Sequence, residues 1–244
     1  MANTSRAAGI IEMRRVAIVT AAGRGIGAAV AQRLAADGWK LAVMSPSGNA
    51  VTLAAALPDA LGVTGSVTEA ADIERLVQAT LDRFGRIDAL VNNAGHPPKA
   101  PLFDLTDAQW HAGFDMVMLS AIRALRCVLP TFRAQGSGAV VNLSSYAALE
   151  PEGDFPATTL RAALGAWTKL AADTLAPQGI RVNSVLPGFV DSLPEKEARR
   201  ARIPMGRYAR APEIAAAVAY LLSADASYVT GQSLRVDGGL TRHM

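Results

Sequence analysis

Short apolar runs alternate along the chain with longer amphipathic stretches, and this alternation restricts the possible folds more than any other feature. Strand and helix in turn predict a parallel sheet with right-handed crossovers and helices on both faces. The runs are nearly all apolar, as a sheet covered on both sides requires. Six of them have the length and composition of strands: Val16 to Thr20, Lys40 to Met44, Ala89 to Val91, Ala139 to Leu143, Ile180 to Val185 and Leu234 to Val236.

Five amphipathic stretches predict helices between these strands: Ile26 to Ala36, Glu69 to Phe84, Asp107 to Phe132, Thr158 to Leu175 and Pro212 to Ser223. Pro212 suits a first helical turn, where its missing N–H costs nothing. We therefore predict an α/β fold: a Rossmann-like, doubly wound parallel sheet of about seven strands. With no repeat or linker in sight, residues 15–244 are predicted to form one domain preceded by a flexible arm, residues 1–14.

Charge and cysteine content narrow the possible partners. The 24 basic residues are interleaved with 21 acidic ones for a net charge of +3, so no nucleic-acid partner is predicted. The single cysteine, Cys127, excludes an intrachain disulfide and favours a reducing compartment. No apolar run approaches the roughly 20 residues needed to cross a bilayer. We predict a cytoplasmic protein with no membrane partner.

Glycines cluster immediately after the first predicted strand, at the start of a helix. Glycines at such a turn let the backbone approach a pyrophosphate, whose charge the helix N-terminus then stabilises. The strand before and the helix after make the cluster far more specific than glycines alone. The segment, a predicted dinucleotide site, reads Thr20-Ala-Ala-Gly23-Arg24-Gly25-Ile26-Gly27.

Three further motifs follow in a fixed order along the chain. They are Asn92-Asn93-Ala94-Gly95, Leu186-Pro187-Gly188 and the tail Tyr228-Val-Thr-Gly-Gln-Ser-Leu-Arg-Val-Asp237-Gly-Gly239. With the glycine loop they resemble the short-chain dehydrogenase/reductase family from about Arg15 to Leu240. Four motifs in this order are far more specific than any one of them.

The resemblance implies two parts of a nicotinamide dinucleotide site and no metal site. Asn92, Ala94 and Gly95 would lie beside the adenine and ribose, whereas Asn93 has either that role or a purely structural one. The nicotinamide pocket would be lined by Pro187, Gly188, Phe189 and Val190, the last two through the backbone of the segment that ends at Asp191.

The choice of cofactor depends on the residues after the second strand, where an acid would repel a 2′-phosphate. Here the chain reads Met44-Ser45-Pro46-Ser47-Gly48, with no acid and with Ser45 as a candidate contact. Arg24 resembles the basic residue that pairs with this phosphate in many family members. We predict NADP(H) over NAD(H); the alternative is that Arg24 is a solvated loop residue. Two departures predict reduced affinity: Ala21 replaces the usual first glycine, and Ser66 replaces an aspartate that meets the adenine amine.

The catalytic residues implied by the resemblance are mostly replaced. The family uses a Tyr-x-x-x-Lys pair on the helix before the strand Ile180 to Val185. A count without gaps places Ala157 at the tyrosine and Arg161 at the lysine, and Val117 at an asparagine that maintains a water relay. Only Ser145 matches, as the serine that polarises the substrate. Arg161 can still bind ribose hydroxyls, but a guanidinium cannot donate a proton near neutrality.

Substitute groups lie near these positions. Tyr146 adjoins the serine, Asp154 precedes the helix, and His96 follows the Asn-Asn-Ala-Gly turn. Each has a structural alternative: an aromatic anchor, a solvated acid and a surface histidine, respectively. We take Ser145, Arg161 and Tyr146 as the candidate catalytic set.

Two functions remain open at this point. The first is an NAD(P)(H)-dependent oxidoreductase acting on a small carbonyl or alcohol substrate through a degenerate site. The second is a catalytically silent NADP(H)-binding partner subunit or redox sensor. The resemblance also implies a homodimer or homotetramer formed through the two long helices. Residues 187–210 fall where the family has a substrate lid, and their basic residues either favour an acidic substrate or form a solvated helix.

Overall fold

The computed structural model describes residues 15–151 and 157–242, and its centre is one parallel sheet. The sheet order is β3-β2-β1-β4-β5-β6-β7, and every neighbouring pair is parallel. This confirms the predicted Rossmann-like fold. The strands are Val16–Val19 (β1), Lys40–Ser45 (β2), Ala60–Thr64 (β3), Ala89–Asn92 (β4), Gly138–Leu143 (β5), Ile180–Pro187 (β6) and Ser233–Val236 (β7).

Helices cover both faces of this sheet because alternate strand residues point to opposite sides. Val19 and Val91 pack with α1 and α8, whereas Ile18 and Leu90 pack with α3, α5 and α6. The helices of the described residues are Gly25–Ala36 (α1), Asn49–Ala55 (α2), Ala70–Phe84 (α3), Asp107–Phe114 (α4), Ser120–Gln135 (α5), Ala157–Leu175 (α6), Glu197–Arg200 (α7) and Ala211–Leu222 (α8).

Two elements at one end of the sheet had no counterpart among the predicted segments. Strand β3 has a single neighbour, β2, and its residues are half-buried or exposed. An edge strand that includes Gly62 gives neither an apolar run nor a clean alternation, so the pattern did not reveal it. Helix α2 has only seven residues, too few for a helical period to stand out.

The predicted single helix from Asp107 to Phe132 is wrong in one respect. It is interrupted by a π-helical turn, Asp115–Leu119, and then continues as α5. Ser120 donates its hydroxyl proton to the Met116 carbonyl across this turn, and Arg123 donates to the Asp115 carboxylate at 2.6 Å. π-turns inside helices occur frequently at functional sites.

Buried polar side chains join the central strands to α6. Asn92 donates to the Oδ1 atom of Asn142 at 2.8 Å, and Asn142 donates to the hydroxyl of Thr168 at 2.9 Å. Thr168 in turn shares a 3.0 Å hydrogen bond with Ser184 on β6. Fully satisfied networks of this kind fix one arrangement of the elements that they connect, so α6 is held at a defined position against β5 and β6 through Thr168.

No helix of the described residues is long and apolar enough to span a bilayer. The predicted N-terminal arm, residues 1–14, lies outside the described residues.

Candidate active site

The glycine loop between β1 and α1 is crowded by its own backbone. A Cβ on Gly27 would lie 2.5 Å from the carbonyl oxygen of Ala21 and 2.6 Å from Asn93 Nδ2. A Cβ on Gly23 would lie 2.8 Å from the hydroxyl oxygen of Ser45. The first turn of α1 has no side-chain cap, so its N–H groups remain available to an anion. The loop therefore has the bare backbone that a pyrophosphate requires.

Ala21 holds a conformation that glycine adopts without strain. Its φ of +46° lies in the left-handed region, at the position where the resemblance implies a glycine. Asn93 donates from Nδ2 to the Ala21 carbonyl at 3.1 Å, and its own N–H donates to the Thr20 hydroxyl at 2.9 Å. Of the two roles left open for Asn93, the structure supports the structural one: it ties the end of β4 to the glycine loop.

The two residues predicted to read the 2′-phosphate differ in exposure. Arg24 is exposed at the N-cap of α1. Ser45 is buried at the end of β2, where its hydroxyl accepts the N–H of Ala50 at 3.0 Å. The Ser45 hydroxyl therefore helps to begin α2, and Arg24 is the better placed of the two to meet a charged ligand.

The segment after β6 closes the other side of the site. A Cβ on Gly188 would lie 2.8 Å from the Cα of Asp237, so the chain passes directly over the tail motif. The ring of Phe189 stacks on Tyr208 at 5.5 Å and meets Tyr146 edge-on at 5.3 Å. The residues beyond β6 thus pack as one aromatic cluster against the turn after β5.

Ser192 is a neighbour of the glycine loop that the sequence reasoning missed. A Cβ on Gly25, whose φ is +57°, would lie 3.1 Å from the Cβ of Ser192. The segment after Pro187-Gly188 therefore reaches across to the start of α1. Its position directly after Asp191, where the segment predicted to line the nicotinamide pocket ends, was the signal available in the sequence.

Ser145 and Tyr146 lie in the turn after β5. Ser145 is half-buried, and its hydroxyl accepts the N–H of Ala147 at 3.3 Å, which leaves its proton free to donate. Tyr146 is buried against Phe189, in a cluster that also contains Ile203. The aromatic-anchor interpretation of Tyr146 is therefore met in the structure, and its catalytic role stays a prediction.

The start of α6 presents the two positions identified by the gap-free count. Ala157 is the first residue of the helix and is buried. Arg161 is 8% exposed, and it donates from one terminal nitrogen to the Leu143 carbonyl at 3.3 Å. Burial lowers the pKa of its guanidinium from the usual value to about 10, so the group stays charged at neutral pH.

A small pocket lies between Arg161 and the carboxyl ends of β4 and β5. It also touches the π-turn, where Val117 is buried in an apolar cluster with Leu164. The enclosed part measures about 10 Å³, room for one water-sized particle. Its other lining residues are Asn92, Asn93, Ala94, Ser120, Ala121 and Leu143.

Positive charge gathers beside this pocket. The pKa of His96 is lowered, first because its ring is partly desolvated although the residue is exposed, and then by the charges of Lys99, Arg161 and Arg24. No acid of the described residues contributes to this shift. The neutral form of the His96 imidazole is therefore favoured.

The parallel sheet brings most of the predicted residues to one edge. The glycine loop follows β1, Asn92 ends β4, and Ser145 follows β5; these strands are neighbours in register. Asp154 lies outside the described residues. Sequence reasoning also missed the hydroxyls of Ser144 and Thr158, which are buried and have no hydrogen-bond partner among the described residues.

A parallel sheet whose first strand leads into a glycine loop without room for added Cβ atoms is typical of dinucleotide-binding proteins of the Rossmann class. Residues 20–241 match the family model described as enoyl-(acyl carrier protein) reductase. The chain belongs to the short-chain dehydrogenase/reductase family.

Its relatives are oxidoreductases. The cis-4-hydroxycyclohexanecarboxylate dehydrogenase of Sinomonas cyclohexanicum is 39% identical over 240 residues, 93% of this chain and 96% of the relative. The 3-oxoacyl-(acyl-carrier-protein) reductase FabG of Staphylococcus aureus is 33% identical over 244 residues, 94% and 99% of the two chains. The crystal structure of YwfH, an NADPH-dependent reductase involved in bacilysin biosynthesis, matches with a TM-score of 0.86 and 25% identity, covering 95% of this chain and 100% of that one.

Proposed function

We propose that this chain is an NADP(H)-preferring oxidoreductase that interconverts a carbonyl and an alcohol at a site with replaced catalytic residues. The observation that carries the proposal is that these groups share one edge of the sheet. The uncapped glycine loop follows β1 and the Ser145 hydroxyl follows β5, and the Arg161 pocket touches β4, which lies between these two strands. A dinucleotide lying across this edge meets both groups.

The cofactor residues follow from the loop geometry. Gly23, Gly25, Ile26 and Gly27 would hold the pyrophosphate with backbone N–H groups, because the first turn of α1 has no side-chain cap. Arg24 would pair with the 2′-phosphate, and the absence of an acid between Ser45 and Ala50 removes the repulsion that would favour NAD(H). The NADPH dependence of the YwfH structure supports this preference.

The two halves of the dinucleotide would meet different parts of the site. The nicotinamide and its ribose would contact Arg161, Pro187, Gly188, Phe189 and Val190, and the packing of the Phe189 ring against the turn that carries Ser145 supports this placement. Asn92, Ala94 and Gly95 would lie beside the adenine and its ribose, and Asn92 and Ala94 line the Arg161 pocket.

The nicotinamide, when bound, would supply or accept the hydride at the carbonyl carbon. Ser145 donates its free hydroxyl proton in a hydrogen bond to the substrate oxygen, and the charge of Arg161 stabilises negative charge developing nearby. Tyr146 is the proposed proton donor, because it is the tyrosine next to Ser145 and no tyrosine stands at position 157. Loss of a positioned acid typically costs about 10²- to 10⁴-fold in rate, so we expect slow turnover unless Tyr146 acts fully.

Two relatives support a small carbonyl or alcohol substrate. One is named for a cyclic hydroxy acid, and the other for a 3-oxoacyl group on acyl carrier protein. Both names describe the same interconversion of a ketone and a secondary alcohol.

The test is consumption of NADPH with a panel of ketones by three proteins: the unmodified chain, Tyr146→Phe and Tyr208→Phe. Tyr208 is the matched control, since it belongs to the same aromatic cluster and its hydroxyl accepts the N–H of Lys196. We expect Tyr146→Phe to lower kcat about 10²-fold and Tyr208→Phe to leave it within a few-fold. No turnover by the unmodified chain with NADPH bound would instead favour the silent cofactor-binding protein.

We also propose that the chain forms a homodimer or homotetramer through α5 and α6. Leu170 on α6 is 67% exposed and gives this helix an apolar side chain that a second copy of the chain could cover. Light scattering after gel filtration should give two or four chains per particle for the unmodified protein and fewer for Leu170→Glu.

A further inference from the structure

The C-terminal segment, residues 237–242, is held in a fixed turn directly after β7. The Asp237 carboxylate accepts the N–H of Gly239 at 3.0 Å, and the N–H and hydroxyl of Thr241 at 3.0 and 2.6 Å. Aspartate side chains stabilise turns by bonding to the backbone a few residues further on. A Cβ on Gly188 would lie 2.8 Å from the Asp237 Cα atom, so this turn also lies against the chain that leaves β6.

Two glycines of the C-terminal segment pack against the residues beyond β6. A Cβ on Gly238 would lie 2.9 Å from the Cγ2 atom of Ile203, and a Cβ on Gly239 would lie 3.1 Å from the Cγ atom of Pro204. Their φ angles of +65° and +84° lie in the region that only glycine adopts readily. The C-terminal segment therefore supports residues 187–210, where the family resemblance places the substrate lid.

The C-terminal segment also reaches the turn after β5. Leu240 is 7% exposed and belongs to the apolar cluster that contains Tyr146 and Ile203. Two residues further on, the N–H of Arg242 donates to the Glu150 carboxylate. Glu150 in turn donates its own N–H to the Tyr146 carbonyl at 3.3 Å. The ring of Tyr146 is thus connected to this segment by packing, and its backbone by hydrogen bonds.

The direction of the Tyr146 ring matters for the reaction proposed above. A buried ring keeps one direction only while its neighbours fill the space around it, because protein interiors are densely packed. Phe189 meets the edge of the ring at 5.3 Å, and Leu240 contributes to the same cluster. Proton transfer needs donor and acceptor within hydrogen-bond reach, and a displacement of about 1 Å can cost roughly 10²-fold in rate.

We propose that Leu240 is a positioning residue, which holds the Tyr146 ring so that its phenol meets the substrate oxygen bound at Ser145. This rests on the proposed function, in which the phenol gives its proton to the carbonyl oxygen and regains one from solvent. Leu240 acts through Tyr146 and takes no part in the transfer itself.

The test is a double-mutant cycle on the kcat of NADPH-dependent ketone reduction. We expect Leu240→Ala to lower kcat about 10-fold and to leave the dissociation constant of NADPH within about twofold. In a Tyr146→Phe chain the same change should lower kcat by less than about twofold, because the hydroxyl that Leu240 positions is gone. Leu240→Met nearly conserves the side-chain volume and should keep kcat within a few-fold.

Leu34→Ala is the matched control, since it removes an equally buried leucine far from the site. Leu34 is 1% exposed near the end of α1, and its carbonyl accepts the N–H of Trp39 just before β2, at the opposite sheet edge. Its kcat should stay within about twofold of the unmodified chain, whatever stability is lost. An equal fall in kcat for both alanine variants, or an undiminished effect of Leu240→Ala in the Tyr146→Phe chain, would overturn the positioning role.

Should Leu240→Ala not fold, the hydrogen bond at the end of the segment provides a second variant. Arg242→Pro removes the N–H that Glu150 accepts, whereas Arg242→Ala keeps it. We expect a several-fold lower kcat in the proline variant than in the alanine variant. Equal values would count against the proposal.

NMR spectra of the chain with ¹³C-labelled tyrosine separate this proposal from the proposed function. The chain has four tyrosines, so the Tyr146 signal can be assigned from its loss in Tyr146→Phe. Leu240→Ala should shift this signal and Leu34→Ala should not. A shift without NADPH consumption by the unmodified chain contradicts the oxidoreductase and with it the role of the phenol, whereas turnover with an unshifted Tyr146 signal contradicts the positioning role alone.

Discussion

The glycine loop and the start of α6 face each other across the same sheet edge, and they are built in different ways. In the loop, backbone groups are paired and packed: Asn93 and Thr20 tie β4 to the loop, and Gly27 has no room for a Cβ. Around the start of α6, the hydroxyls of Ser144 and Thr158 and the Nε atom of Arg161 are buried without a hydrogen-bond partner among the described residues. The first region is fixed by its own packing and leaves only backbone N–H groups of α1 open, whereas the second leaves side-chain groups open.

The two regions therefore differ in how much amino-acid substitution they tolerate. A site made by the backbone depends on a few glycines and tolerates little change, since a Cβ at the wrong place displaces the main chain. A site made by side chains keeps its position when the side chains are exchanged, because the network from Asn92 through Thr168 fixes α6. We therefore expect the reaction to have diverged while the cofactor site was kept.

The largest expected effect comes from exchanging the α6 side chains. Ala157→Tyr together with Arg161→Lys should raise the rate of reduction of a neutral ketone about 10²-fold or more, because a positioned general acid supplies that much. The control is Ala157→Phe with Arg161→Lys, which adds the same ring without its hydroxyl. A gain that the phenylalanine variant shares, or no gain with NADPH still bound, would mean that this region cannot be restored by side chains alone.

The next effect concerns the region made by the backbone. Gly27→Ala places a methyl group 2.5 Å from the Ala21 carbonyl, so the loop must shift, at a cost of about 1–3 kcal/mol. We expect NADPH affinity to fall about 10-fold or more in a fluorescence titration. Gly165→Ala is the control, because a Cβ there meets nothing within 4 Å and alanine favours the helix. Undiminished affinity in Gly27→Ala would show that the loop is not the pyrophosphate site.

A smaller effect tests the strain in the same loop. Ala21→Gly should relieve the left-handed conformation, and after the greater entropy of the unfolded glycine chain a gain of about 0.5–1 kcal/mol remains, or roughly 2 °C in Tm. Asp59→Gly relieves a similar φ of +49° outside the cofactor loop. Both variants should be stabilised, but only Ala21→Gly should also tighten NADPH binding. If NADPH affinity changed in both variants, or in neither, the strain at Ala21 would have no specific effect on cofactor binding.

The features that the sequence predicted divide in the same way, between those set by the backbone and those set by side-chain packing. The glycine loop and the Asn-Asn-Ala-Gly turn were predictable, because glycine at a strand-to-helix turn encodes backbone geometry directly. Strand β3 was not, because an edge strand with one neighbour has no clear apolar pattern. The π-turn around Val117 also left no sequence signal, since both flanking segments have a helical period.

The unpaired groups at α6 could not be predicted for a different reason. Whether a serine or threonine hydroxyl is satisfied depends on which element packs over it, and that is a property of the tertiary structure. Position 161 was identified by counting within the family pattern, but its burial became visible only in the fold. The family pattern selected Ser145, whereas it is the hydroxyl of Ser144 that is buried without a hydrogen-bond partner among the described residues.

Calorimetric titration of the unmodified chain with NADPH and NADH shows whether the dinucleotide edge is intact although the α6 residues are replaced. We predict saturable binding of one dinucleotide per chain, with NADPH bound more tightly and the difference lost in Arg24→Ala. Failure of both dinucleotides to bind at millimolar concentration would show that this edge does not hold a dinucleotide. Equal loss of NADPH and NADH affinity in Arg24→Ala would contradict the role given to its guanidinium.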